Sequence, residues 1–230
     1  MTTLFLVAVS PGIAFALGIY LTDRYDREPV HLLLKVFIFG ALMVIPAAAV
    51  ELILTELNIF TGYFNAAYGA FIIAGMTEEY FKRWVVLKFA FNHKEFNEKL
   101  DGIVYAAFSA LGFATIENIL YVVFRFGEDA FIGISRAVLS VPGHMLFGIT
   151  MGYYLSLAKY ADSQIDKKKF MKKSLYMPIL LHGTFNFILT SGNDWLIALF
   201  VPFVLYLWII NLHKLRKYWI KSRDNYYKKD

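Results

Sequence analysis

Seven long apolar stretches alternate with short polar segments along the 230-residue chain. Each stretch can cross a hydrocarbon core of about 30 Å, which takes roughly 20 helical residues. The pattern therefore predicts seven transmembrane helices, with the approximate bounds 3–22, 30–52, 64–91, 102–124, 134–158, 174–191 and 194–213. Because no repeat or long linker interrupts the series, residues 1–230 are predicted to form one membrane domain with a basic cytoplasmic tail over about 214–230.

The positions of the basic residues predict how these helices are oriented. Cytoplasmic segments of membrane proteins carry an excess of Lys and Arg. If the N-terminus is outside, all 23 Lys and Arg residues except Arg125 and Arg136 fall in or beside cytoplasmic segments. We therefore expect an all-α, polytopic bundle in the plasma membrane, with the N-terminus outside and the C-terminus inside.

Composition narrows the function further. With 58% hydrophobic and 18% charged residues, the chain has little polar surface to meet water. The net charge is +5, and the basic residues cluster at helix ends and in the tail. The lipid bilayer is therefore the expected partner, and nucleic acid is not. The chain has no cysteine, which excludes a thiol nucleophile and thiolate metal sites.

Several ionisable residues lie at membrane depth, where they are costly and therefore indicate function. Glu78 and Glu79 lie near the middle of the third helix, on or beside a stripe of alanines that predicts a protein-facing position. A purely structural alternative remains open, because Lys82 and Arg83 each lie four residues after one of these acids and could form two local ion pairs.

The next three helices carry matching polar residues. Glu117 follows a face of small residues in the fourth helix, and Asn118 comes directly after it. His144 shares a face of the fifth helix with a GxxxG pair, and Pro142-Gly143 just before it predicts a break beside a water-lined cavity. His182 and Asn186 share a face of the sixth helix. By contrast, Glu51 lies at the outer end of the second helix, where its side chain can reach the interface, and we assign it no role.

Four segments in order resemble the motifs of PrsW-type membrane proteases. They are Glu78-Glu79-Tyr80-Phe81-Lys82, Phe113-Ala114-Thr115-Ile116-Glu117-Asn118, Gly143-His144 with Gly148, and His182-Gly183-Thr184-Phe185-Asn186. The segment 23–31 also resembles the family's first cytoplasmic loop, so the resemblance covers about residues 10–210. One departure is Asn186, where the family often has Asp, so we expect Asn186 to orient other groups.

The resemblance, to a family distantly related to the CAAX prenyl proteases, implies peptide-bond hydrolysis within or beside the bilayer. Family members are known for the first (site-1) cut of a single-span anti-sigma factor, which activates an extracytoplasmic-function sigma factor in a stress response. The expected substrate is therefore a single-span membrane protein.

Two chemistries fit these residues. In the one that the sequence favours, Glu78 is the general base and Glu79 tunes it. His144 and His182 then hold the water or stabilise the oxyanion, with Asn118 and Asn186 as further donors. In the other, a metal ion, with zinc as the candidate, is bound by His144, His182 and Glu78. No HExxH motif is present to decide between them.

Two other function classes remain open. Intramembrane carboxylates and histidines also serve proton- or ion-coupled transporters, although we find no inverted repeat with paired broken helices. In a non-catalytic membrane scaffold, the same polar residues would only hold helices together.

Overall fold

The computed structural model describes residues 2–125 and 135–228, and within these ranges the protein consists of helices and short connections without strands. The α-helices are α1 (Thr2–Thr22), α2 (Val30–Leu42), α3 (Val44–Glu56), α4 (Gly62–Ala67), α5 (Thr77–Phe89), α6 (Lys99–Ile119), α7 (Val141–Lys159), α8 (Gln164–Thr190), α9 (Asp194–Ala198) and α10 (Phe200–Tyr226). Three π-helical segments, Tyr68–Met76, Leu120–Arg125 and Arg136–Ser140, extend neighbouring α-helices.

These elements form seven helical rods in the predicted order, so the all-α prediction is confirmed. Helices α2 and α3 form the second rod, and α4, Tyr68–Met76 and α5 form the third. The sixth rod begins earlier than predicted, at Gln164, because the Ser163 hydroxyl accepts the Asp166 N–H at 3.0 Å and caps it. The predicted start of the fifth rod, residue 134, lies outside the described residues.

The seventh rod is also longer than predicted. Helix α10 continues to Tyr226, whereas the hydrophobic pattern predicted an end near residue 213. Hydrophobicity marks where a helix leaves the membrane, but a charged segment without Pro or Gly can continue the same helix in water.

Among the described residues, four rods are long and apolar enough to cross a membrane: Thr2–Thr22, Val30–Glu56, Lys99–Phe124 and Asp194–Tyr226. The other three hold most of the ionisable side chains singled out above. The protein is therefore a multi-pass membrane protein, and most of these polar residues lie on the less apolar helices. Nothing in the fold tests which end of the bundle faces the cytoplasm, so the N-out, C-in orientation stays a prediction.

Helix α6 is the buried centre of the bundle, and every residue from Leu100 to Thr115 is buried. Helix α7 packs directly against it, because a Cβ on Gly152 would lie only 2.0 Å from the Gly102 carbonyl oxygen, and one on Gly148 2.8 Å from that of Ala106. The predicted close packing of the GxxxG face is thus confirmed. His144 lies on this face and is directed to α6.

Helix α8 packs on the π-helical segment Tyr68–Met76. A Cβ on Gly75 would lie 3.2 Å from the Ile179 carbonyl oxygen, and one on Gly183 would overlap the Phe71 ring. These glycines therefore let the two backbones approach closely. The contact brings His182, next to Gly183, against the start of α5.

The α1–α2 connection is tied to α6 by two buried acids. Asp23 accepts the Glu28 N–H at 3.0 Å, and Glu28 accepts a hydrogen bond from the Tyr105 hydroxyl. Burial raises the pKa of Asp23 to about 7, although the Glu28 N–H opposes the shift. Burial and repulsion from Asp101 raise the pKa of Glu28 to about 10. Both carboxyl groups therefore hold their protons to a higher pH than they would in water.

Candidate active site

Three helices bring four ionisable side chains together in the interior. Glu78 and Glu79 lie in the first turn of α5, His144 near the start of α7, and His182 in the second half of α8. One ligand atom from each lies within 4.8 Å of all the others, and all four residues are buried. The four residues predicted as catalytic from the sequence therefore form one cluster.

Lys82 occupies the centre of this cluster. Its Nζ donates to Glu78 Oε2 at 2.9 Å, to Glu79 Oε1 at 2.8 Å and to His144 Nδ1 at 2.8 Å. The ammonium is fully buried and lies 4.5 Å from the centre of the Phe113 ring. One cation therefore faces two carboxylates, and the cluster carries an excess of negative charge when both acids are ionised.

Arg83 does not join the cluster, so the Glu79–Arg83 ion pair of the purely structural alternative does not form. Its guanidinium donates to Ser174 Oγ at 2.9 Å and to the Met171 carbonyl at 3.1 Å, and it thereby joins α5 to α8. Glu79 pairs instead with Lys82, three residues along, and with His182. The Glu78–Lys82 pair of that alternative is present.

The hydrogen-bond partners assign the proton positions on both imidazoles. An ammonium can only donate, so His144 Nδ1 accepts from Lys82 and His144 Nε2–H donates to Glu117 at 2.8 Å. His182 Nδ1 lies 3.0 Å from Glu79 Oε1, and because a carboxylate can only accept, the His182 Nδ1–H donates this hydrogen bond. His182 Nε2 is then left with a free lone pair. A carboxylate that holds an imidazole in this way is typical of catalytic and metal-binding histidines.

Aromatic rings fix the two imidazoles. The Phe147 ring stacks on His182 with 4.9 Å between the ring centres and an interplanar angle of 17°. The two imidazoles stand edge to face at 5.2 Å. The hydrophobic pattern gave no signal that Phe113 and Phe147 would form walls of the cluster.

A cavity of about 730 Å³ extends from the cluster between α3, the Tyr68–Met76 segment and α8. Glu78, His144 and His182 line it, whereas Glu79 and Lys82 lie behind them. Its other end reaches Asn58 and Ser191, in connections at the same end of the bundle. This is the cavity that the Pro142-Gly143 pair predicted, although the backbone there changes from π to α geometry without a break.

The polar residues predicted beside the catalytic four fall into two groups. Glu117 and Asn186 line the cavity, and the Asn186 side-chain amide has no hydrogen-bond partner within residues 2–125 and 135–228. Asn118 is different, because its side chain is buried towards α1 and donates to the Ala8 carbonyl at 2.9 Å. It joins two helices and does not line the cavity.

Glu51 also lines the cavity, contrary to its predicted position at the lipid interface. One face of α3, made of Val44, Ala47, Ala48, Glu51 and Thr55, forms this wall. These positions follow the i, i+3, i+4, i+7 spacing of a single helix face, and this small and polar face was the signal that could have found Glu51.

A sequence model of the PrsW family of intramembrane metalloproteases matches residues 28–212. This chain belongs to that family. The family's relatives include proteins named Protease PrsW from Clostridioides difficile, 41% identical over 97% of this chain and 94% of the relative, and from Bacillus subtilis, 39% identical over 91% and 92%. A third, from Oceanobacillus iheyensis, is 40% identical over 94% and 96%. No solved structure matches the chain.

This PrsW-family chain is therefore a membrane-embedded peptidase. The family's description as metalloproteases favours the metal-dependent alternative over the metal-free chemistry that the sequence favoured. The cluster fits a metal ion in its donor types, because two imidazoles and carboxylates form a known zinc ligand set. One ligand atom is also available, since the carboxylate oxygen Glu79 Oε2 is buried without a hydrogen-bond partner among the described residues. His144, His182, Glu78 and Glu79 are the residues that would hold the ion. Because the His144 Nε2–H is donated to Glu117, His144 would bind the ion through Nδ1, in place of the Lys82 ammonium.

Proposed function

We propose that this PrsW-family protein makes the site-1 cut in a single-span membrane anti-sigma factor and so leads to activation of an extracytoplasmic-function sigma factor. The observation that carries the proposal is the buried Glu78–Glu79–His144–His182 cluster at the inner end of a cavity large enough for a peptide segment. The cavity reaches the 57–61 and 191–193 connections, which the predicted orientation puts outside the cell. A first cut on that side is consistent with a deep cluster, because the substrate can enter from outside.

Each side chain has a proposed task in hydrolysis. Glu78 faces the cavity and takes a proton from the attacking water. Glu79 stays behind, where it holds the His182 ring and leaves His182 Nε2 free to bind. When bound, a metal ion supplies a Lewis acid that polarises the scissile carbonyl and acidifies the water.

Lys82 and His144 are proposed to keep the cluster oriented, and Asn186 to balance the charge that develops on the substrate. Lys82 compensates the two acids and keeps both carboxylates oriented. The His144 Nε2–H is held by Glu117, which orients the ring. The Asn186 amide has donors to offer to an oxyanion at the cavity wall.

Cleavage of a tagged single-span anti-sigma factor, co-expressed with the protein at matched membrane levels, tests the proposal. We expect Glu78→Gln and His182→Ala to abolish cleavage, because one loses the base and the other a side chain held at the reacting centre. His213→Ala is the matched control, since His213 is exposed on α10 far along the chain from the cluster. Undiminished cleavage in both cluster variants would contradict the proposal and favour a transporter or scaffold function.

A further inference from the structure

Glu51 is an acidic residue of the cavity for which the hydrolytic cluster has no use. Its carboxylate has no hydrogen bond or ion pair with any residue in the described ranges, although its side chain is only partly exposed. The charged groups that act on it most strongly are the carboxylates of Glu78 and Glu117, which repel it, and the attraction of Lys82 is weaker. An unpaired carboxylate inside a membrane protein is costly, and such residues usually face a cation or a water-filled path.

The cavity as a whole is negatively charged. Three carboxylates line it, those of Glu51, Glu78 and Glu117, and no Lys or Arg is among its described lining residues. Lys82 cannot serve as the missing cation, because its ammonium is fully buried and is already shared by Glu78, Glu79 and His144. An occupant that brings a positive charge is therefore favoured over a neutral or acidic one.

The position of Glu51 along the cavity suggests which part of an occupant meets it. On α3 it lies two turns beyond Val44, which packs with Phe113 beside the cluster, and one turn before Thr55 near the outer end. With a rise of about 1.5 Å per residue, Glu51 is roughly 10 Å along the helix from Val44. A residue in contact with Glu51 is therefore a few positions from the peptide bond at Glu78.

We propose that Glu51 is the specificity-determining residue of a subsite that binds a Lys or Arg side chain of the substrate, on the outer side of the scissile bond. The inference rests on the proposed proteolytic function and deepens it. A basic side chain enters with its charge, pairs with the Glu51 carboxylate and holds the neighbouring peptide bond against the cluster. Because the pair forms in a membrane-embedded cavity, it is screened less than a surface ion pair.

The test is a series of tagged single-span substrates that carry Lys, Arg, Gln or Glu at each position of the segment just outside the cleavage site. We expect the wild-type protein to prefer Lys and Arg at one position. Glu51→Gln should lower cleavage of that substrate roughly tenfold to a hundredfold, the value of a hydrogen bond to a charged group, and leave the Gln substrate unchanged. Glu51→Lys should transfer the preference to the Glu substrate.

Glu56→Gln is the matched control, because Glu56 is on the same helix but is exposed and does not line the cavity. It should cleave all four substrates as the wild-type protein does. If Glu51→Gln lowers cleavage of the Lys and Gln substrates equally, or leaves both unchanged, the proposed subsite is refuted, but the proposed proteolytic function is not. If the wild-type protein cleaves none of the substrates, the proposed function fails and the subsite fails with it.

Discussion

Replacing Gly152 with alanine should separate α7 from α6 and thereby disturb the cluster from a distance. The added Cβ would lie 2.0 Å from the Gly102 carbonyl oxygen and 2.6 Å from Ile103 Cα, both of them backbone atoms that cannot rotate away. Reaching an ordinary contact of about 3.4 Å requires the helices to part by about 1.4 Å. Overpacking of this kind costs about 1–3 kcal/mol of folding free energy.

The same movement reaches the hydrolytic residues. His144 is two turns from Gly152 on the face that packs on α6, and its hydrogen bond to Glu117 spans 2.8 Å. If α7 moves outward as a unit, that distance can grow to about 4.2 Å, the sum of 2.8 and 1.4 Å, which breaks the bond. Misplacement of a catalytic group by about 1 Å can cost on the order of a hundredfold in rate.

Thermal unfolding of the purified protein in detergent and cleavage of the tagged substrate measure the two effects. Gly18→Ala is the control, because a Cβ on Gly18 meets nothing within 4 Å. It should be neutral or stabilise α1 by up to about 1 kcal/mol. If Gly152→Ala unfolds at the same temperature as Gly18→Ala and cleaves as fast, the close α6–α7 contact does not position His144, and the reasoning is refuted.

Three further predictions concern charge. Lys82→Met leaves Glu78 and Glu79 buried without their cation and should destabilise the metal-free protein by about 3–5 kcal/mol, a loss that added zinc reduces; thermal unfolding with and without zinc measures it. Asp23→Asn keeps the acceptor for the Glu28 N–H but removes a carboxyl whose pKa is raised to about 7. Between about pH 4 and pH 7, the folded state holds the Asp23 proton that the unfolded state has lost, so wild-type stability falls as the pH rises through this range. Above this range, Asp23→Asn should therefore unfold at a higher temperature than the wild-type protein, and below it the two proteins should unfold at the same temperature. Removal of metal with a membrane-permeant chelator should abolish cleavage, zinc should restore it, and metal analysis should find less zinc in His182→Ala; full activity in the chelator would return the metal-free mechanism.

Much of the site could be predicted from the sequence because its signals are local. A carboxylate or imidazole in an apolar stretch is easy to recognise, because its burial in the membrane costs free energy. Helical spacing then shows which other residues lie on the same face of the helix. This was enough to select Glu78, Glu79, His144 and His182 on three helices and to predict seven rods. It also showed that Glu78 and Lys82 could pair, since both residues lie on one helix.

Contacts between helices could not be read in the same way. How far a helix is rotated about its axis depends on packing against its neighbours, and one-dimensional spacing carries no such information. Arg83 has the spacing of a partner for Glu79, yet the crossing of α8 offers it Ser174 and the Met171 carbonyl instead. Asn118 follows Glu117 directly, yet it is directed to the Ala8 carbonyl on α1.

The sequence by itself determined which chemical groups enter the membrane and on which helices they lie, because burial cost and helical period act along one chain. Only the tertiary structure decided which groups meet. It joined Lys82 to both acids and to His144, and it put Glu51 into the cavity wall instead of the lipid interface. These outcomes depend on how closely glycine-lined helices approach one another, a property of pairs of helices and not of any one segment.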